Sequence, residues 1–304
     1  MMCITRYLKL LLLVALMLPT PLVQAQPPTR PQPAHTYAAE GVMVELYQDA
    51  IPQGRAGLMR VSAAGITAAE IDAFQQQTAL FAANGDTAIY GFLVPKLDQP
   101  VRTHDVTVTV TLESGERRAV LVPVTVRQGG FIRQDVILPP DRLELIEPEV
   151  ELNELALLDA LTAPVTPARY WGAGGFVMPV ASELTSPFGA VRTFNAGYET
   201  RHTGWDFEGG MGDIMTAMAD GRVAYAGNMD IRGGYVLLDH GYGVYSGYAH
   251  MSVMHVVQGQ FVRQGQILGL AGSTGRSSDP HLHVEMRVNG RWVDLVDFTQ
   301  MWLP

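Results

Sequence analysis

Cysteine and lysine are almost missing from this 304-residue chain. The only cysteine, Cys3, lies in an N-terminal stretch read below as removable, so disulfide and thiol chemistry are not expected of the mature protein. Basic residues are scarce as a class. Lys and Arg number 21 against 30 Asp and Glu, a formal charge of −9, which argues against a nucleic-acid binder or a basic membrane-surface protein. The longest early apolar run, Leu10 to Leu18, is well short of the roughly 20 residues that span a bilayer. No HExxH occurs, so a thermolysin-type glutamate base is not available. Disorder is excluded by 47% hydrophobic and 17% charged residues. What remains for demanding chemistry is histidine, carboxylate or a metal.

The chain opens MMCITRYLKLLLLVALMLPTPLVQAQ, with Arg6 and Lys9 ahead of the apolar run and Val23-Gln24-Ala25 after it. That order predicts a secretory signal over residues 1–25, cut near Ala25, and a secreted or periplasmic protein with no membrane span in the mature chain. Cys3 precedes the apolar run, so it is not placed as a lipoprotein cysteine. Residues 26–36 form a proline-rich leader, expected to be extended and mobile.

The remaining composition predicts a mainly β protein. Val106, Val108, Val110 and Leu112 alternate with Thr107, Thr109 and Thr111, the period of a strand with one buried face. Ser114-Gly115 reads as a hairpin turn into Arg117 to Val126, where Pro123 predicts an edge strand or a bulge. Several such strands over residues 37–140 predict an immunoglobulin-like β-sandwich. Its lone His104 is expected to be a solvated or hydrogen-bonded histidine. Residues 141–170 read as a partly helical linker, with Leu152, Leu155 and Leu158 at helical spacing before Pro164 and Pro167. Residues 171–304 form the second domain, where six of the eight histidines fall between His202 and His283.

Two local patterns stand out there, RHTGWD from Arg201 and His281-Leu282-His283. On an extended strand, residues two or four apart share a face, so His202 can meet Asp206 and His281 can meet His283. Gly204 leaves room between the first pair. Three nitrogen and oxygen ligands from two strands would leave an open fourth position, as in a catalytic zinc site.

From Phe176 to Phe298 the sequence resembles a lysostaphin-like (LytM-type) zinc endopeptidase domain. The resemblance is carried by TSPFG from Thr185, RHTGWDFEGGMGDIMTAMADGRVAYAG, LLDHGYGVYSGYAHMS and GQFVRQGQILGLAGSTGRSSDPHLHVEMRVNG, in family order. It implies an antiparallel β-sheet metallopeptidase with one zinc per chain, held by His202, Asp206 and His283. Two further histidines, His250 and His281, are implied to be catalytic, assisting a zinc-activated water. The implied substrate is the peptide part of bacterial cell-wall peptidoglycan. The alternative is a catalytically silent relative that binds wall or activates an amidase. Met251 stands where the family more often has Leu, and Trp205 stands where an aliphatic is usual, which predicts a narrowed site.

Other residues carry weaker expectations. His240 reads as a structural turn residue and His255 as surface. Glu285 shares the strand parity of His283, which places it either beside a ligand, fixing its tautomer, or on a solvated face. Tyr245 and Tyr248 either line a cleft or pack. Ser273 to Asp279 is expected to form a rim. The N-terminal region or linker is a candidate to contact the cleft, with Asn195 a candidate to approach the metal on loop position alone. GQFVRQGQILGLAG also resembles a lipoyl or biotinyl hairpin, but the mature chain's only lysine, Lys96, is far away, which excludes a carrier.

Overall fold

The structure, a computed structural model, describes residues 29–83, 86–195 and 197–304. The signal-like segment and Cys3 lie outside the described residues.

Ten strands build the N-terminal sandwich: β1 (His35–Ala39), β2 (Val42–Leu46), β3 (Ile51–Pro52), β4 (Gly57–Ala63), β5 (Ile66–Ala73), β6 (Gln76–Ala79), β7 (Phe81–Ala82), β8 (Ile89–Leu93), β9 (Thr103–Leu112) and β10 (Arg117–Arg127). They form two sheets of order β1-β2-β4-β8-β7 and β3-β10-β9-β5-β6. The valines of β9 face inward with Val120, Val122 and Val124 of β10, against Val44, Met59 and Val61 of the other sheet. Alternating β-branched residues thus supply one buried face, and the threonines the other. Gly115, at φ 82°, makes the β9–β10 turn. Pro123 lies opposite Asp105, while β3 pairs β10 only at Val126 and Arg127, so Pro123 occupies an open edge where no ladder donor is required. His104 is buried, with Nε2 2.7 Å from the Pro100 carbonyl and Phe74 edge-on at 5.4 Å. The leader's last two residues join β1, where His35 pairs with Leu46 and Thr36 with Glu45.

After the sandwich come β11 (Arg133–Val136), a 3-10 turn at Pro140–Ile146 and helix α1 (Pro148–Thr162). The C-terminal half adds β12 (Leu184–Ser186), β13 (Val191–Phe194), β14 (Tyr198–Arg201), β15 (Gly204–Phe207), β16 (Ile214–Thr216), β17 (Gly221–Met229), β18 (Gly233–Gly241), β19 (Val244–Met254), β20 (Phe261–Val262), β21 (Ile267–Ala271), β22 (Leu282–Val288), β23 (Arg291–Val293) and α2 (Leu295–Gln300). Its main sheet runs β12-β15-β22-β19-β18-β17-β20. Every residue of β22 is buried, because the strand lies between β15 and β19 and is covered on both faces.

The two halves share a core. Phe81 stacks on Tyr242 at 4.2 Å, Phe92 packs on Phe298, and the Arg291 guanidinium donates to the carbonyls of Val94 and Phe74. β11, inside the range read as sandwich, instead pairs in parallel with β13. Helix α1 buries Glu154, Leu158 and Thr162, whereas Leu152 is 64% exposed. The leucine spacing identified the helix but not its inner face, which carries glutamates.

Candidate metal centre

His202, Asp206 and His283 meet because of register. Asp206 of β15 lies directly opposite His283 of β22, and His202 precedes β15 by two residues. Asp206 Oδ1 is 2.8 Å from His283 Nδ1 and 3.1 Å from His202 Nε2, and the two nitrogens are 3.1 Å apart. All three residues are buried. The space left by Gly204 is filled by the His283 ring: a Cβ there would lie 2.9 Å from His283 Nε2 and 2.3 Å from the Val284 carbonyl. Trp205 points the other way, donating to Asp294 at 2.7 Å, so it does not narrow the site. Strand alternation decides this, since 205 is the odd position between 204 and 206.

The donor atoms fit a metal. A carbonyl only accepts, so the Pro187 carbonyl 2.8 Å from His202 Nδ1 places the proton there and leaves a lone pair on Nε2. Glu285, 3.5 Å from His283 Nε2, draws that ring's proton away from Nδ1. Two nitrogen lone pairs and a carboxylate oxygen therefore converge, an arrangement that repels itself unless a cation or proton sits among them. Ligands about 2.0–2.1 Å from one tetrahedral zinc lie about 3.3 Å from one another, close to the spacings here.

Electrostatics follow from burial and partners. Burial pushes His202 down to about 4. Burial works to raise Asp206, but His202, His281 and His283 hold it well below the usual carboxylate range. Arg192, which no sequence signal marked, also pairs with Asp206 Oδ2. Burial lowers His283, yet hydrogen bonds to Asp206 and Glu285 outweigh that and raise it. Glu285 is not on a solvated face. It is 1% exposed, accepts from Thr203 Oγ1 and Tyr235 Oη, and is held ionised against burial by Arg232.

His250 and His281 complete the cluster. Ala249 pairs with His283 across β19–β22, which brings His250 alongside, with ring centroids 4.9 Å from His281 and 5.6 Å from His283. His250 adopts φ 58°, in the left-handed region that histidine enters more readily than most residues, and this turn aims its ring. Its Nδ1 donates to the Thr274 carbonyl and that of His281 to the Asp279 carbonyl, so each presents a bare Nε2. The His281 Nε2 is buried with no hydrogen-bond partner, 3.5 Å from Asp206 Oδ1. Burial, then His281 and His283, drive His250 well below the usual histidine range.

The remaining expectations separate cleanly. His240 is fully buried between the Asp220 carbonyl and Ser246, outside the cluster. His255 is exposed. Tyr245 and Tyr248 are buried packing residues bonded to the Pro164 carbonyl and to Met218 N. Asn195 does not approach the cluster. Its side chain bonds both N and O of Leu138, at 3.0 and 3.2 Å, and so clasps the chain just ahead of the linker.

The linker covers the cluster. Glu151 of α1 accepts from Thr200, Tyr198 and Arg276, and Arg142 reaches Ser273 Oγ in the expected rim loop. Glu151 and Leu155 line, with His202, His250 and His283, a cavity of about 50 Å³.

Residues 200–295 match the sequence profile of peptidase family M23. The chain carries an M23 peptidase domain. Over 126 residues it is 41% identical to the DD-carboxypeptidase/endopeptidase Mpg of Neisseria meningitidis serogroup B, covering 40% of this chain and 29% of that protein. Over 93 residues it is 41% identical to the peptidoglycan DD-endopeptidase ShyA of Vibrio cholerae, covering 31% and 22%. Over 190 residues it is 30% identical to the murein hydrolase activator NlpD of Salmonella dublin, covering 62% and 44%. The aligned M23 region thus spans less than a third of the first two relatives. A crystal structure of an M23 peptidase from Pseudomonas aeruginosa shares the fold beyond the M23 domain, with TM-score 0.61 and 24% identity over 83% of this chain and 96% of that one.

Proposed function

We propose that this protein is an exported zinc-dependent endopeptidase that hydrolyses peptide bonds of peptidoglycan. The reading rests chiefly on one observation: lone pairs of His202, Asp206 and His283 converge within 3.1 Å, with the unpaired Nε2 of His281 beside them. The names of the endopeptidase relatives support the substrate class. The signal-like N-terminus supports export, and no helix among the described residues is long and apolar enough to cross a membrane.

His202, Asp206 and His283 hold the ion, one per chain. Bound there, zinc supplies a Lewis acid that polarises a carbonyl and brings the pKa of a water from about 15.7 toward 7. Arg192 and the ligand histidines keep Asp206 ionised for that task. His250 and His281 each present a bare Nε2, so one of them would take up the water's proton there and pass it to the leaving amine. While that ring holds the proton, its Nε2–H would face the developing oxyanion. Glu151 and Leu155 of the linker line the small cavity beside His202, His250 and His283, which is large enough for water.

A second reading, a silent activator of another wall hydrolase, is favoured by the breadth of the NlpD-like match. Incubating the purified protein with peptidoglycan, with zinc and with a chelator, separates the two. New amine ends that appear only with zinc support the peptidase. Zinc-replete protein that releases none supports the activator.

A further inference from the structure

We propose that Glu154, on linker helix α1, is a positioning residue for the metal centre, acting through Arg232 on both His283 and His250. The proposal rests on the zinc-site reading above. Glu154 is 5% exposed and accepts from Ile231 N at 2.7 Å, Arg232 N at 3.2 Å and Arg232 Nη1 at 2.7 Å. The opposite side of the same guanidinium forks onto Glu285, with Nε 2.6 Å from Oε1 and Nη2 2.8 Å from Oε2. Glu285 Oε2 in turn faces His283 Nε2 at 3.5 Å. The backbone carries a second branch, because the Arg232 carbonyl accepts from His250 N at 2.8 Å, where the left-handed turn aims that ring.

A buried guanidinium must have its donors satisfied to keep one orientation. Glu285 takes two of the Arg232 nitrogens, and among the described residues only Glu154 takes Nη1. Without the helix carboxylate, Nη1 and the amides of Ile231 and Arg232 lose their acceptor in a buried place. The fork on Glu285 then loosens, and with it the group that fixes the His283 tautomer. The carboxylate comes from outside the 200–295 family match, so the linker supplies part of the site's scaffold.

The test uses the full chain, loaded with zinc or cobalt(II), as wild type, E154Q, E285Q, the double variant and D159N. Asp159 lies on the same helix and pairs with Arg287 rather than with Arg232 or Glu285, so D159N controls for helix docking. Zinc affinity is read by chelator competition, and the cobalt absorption bands report ligand geometry. E285Q is expected to weaken zinc about 10–100-fold, as for carboxylates that orient ligand histidines, and E154Q about 3–10-fold with a shifted cobalt band. The double variant should bind no more weakly than E285Q, and D159N should match wild type. An E154Q protein that binds zinc as wild type does, or effects that add in the double variant, overturns the proposal. If E154Q does not fold, Arg232→Lys, which keeps the charge but not the fork, must show the same loss; unchanged affinity there is equally contrary. Wild-type protein that takes up no zinc overturns the functional reading itself.

Discussion

Gly204 stands where any side chain would press into His283. The two lie on adjacent strands, and a single Cβ at 204 would fall 2.9 Å from the His283 Nε2 and 2.3 Å from the neighbouring Val284 carbonyl. Gly204→Ala is therefore expected to cost about 1–3 kcal/mol, as overpacking does, and to weaken metal uptake by turning the ring. Paired measurements of chemical unfolding and zinc content check this. Unchanged values for both would contradict it.

Loss of a ligand should be more severe. His283→Ala removes one of three donors and opens a hole beside Glu285. Stoichiometric zinc and all hydrolysis should disappear together, as measured by elemental analysis and amine release.

His250 offers a way to separate chemistry from metal. His250→Asn keeps a residue that tolerates the left-handed backbone but removes the base. Zinc content should stay near one per chain, while the rate falls about 10²–10⁴-fold. Loss of zinc in this variant would instead make His250 a ligand.

How much of this was legible beforehand depended on where each signal lay. The alternation of Val106 to Leu112 is local, and the strand it predicted is there with its valines inside. The five candidate site residues were legible because short motifs keep them at fixed spacing, and the sheet brings them together. Arg192, Glu154 and Arg232 were not legible, since each acts through a contact set by tertiary packing. Glu151 and Glu154 recur on one face of the helix with Leu158, but helical spacing alone does not tell a buried carboxylate from a solvated one. Asn195 was placed near the metal by loop position, which cannot tell a clasp on Leu138 from a ligand.

Acid should destabilise the fold through His240 as well as through the cluster. Burial pushes His240 down to about 4, from an unfolded value near 6.5. Above pH 6.5 neither state is protonated there, and the neutral ring's contribution is fully present. Between pH 6.5 and 4 the unfolded chain takes up a proton that the folded chain refuses, so up to about 3 kcal/mol is lost across that window. In chelated protein, His240→Gln should show a shallower fall in unfolding free energy over the same range than wild type. Parallel slopes would contradict the assignment.

The most direct measurement is mass spectrometry of cross-linked peptidoglycan fragments after incubation with the purified full chain, metal-free and with one equivalent of zinc. The account predicts cleaved peptides carrying new amino termini only in the zinc sample, lost again on chelation. Equal cleavage without metal, or intact peptides from protein holding one zinc, would contradict it.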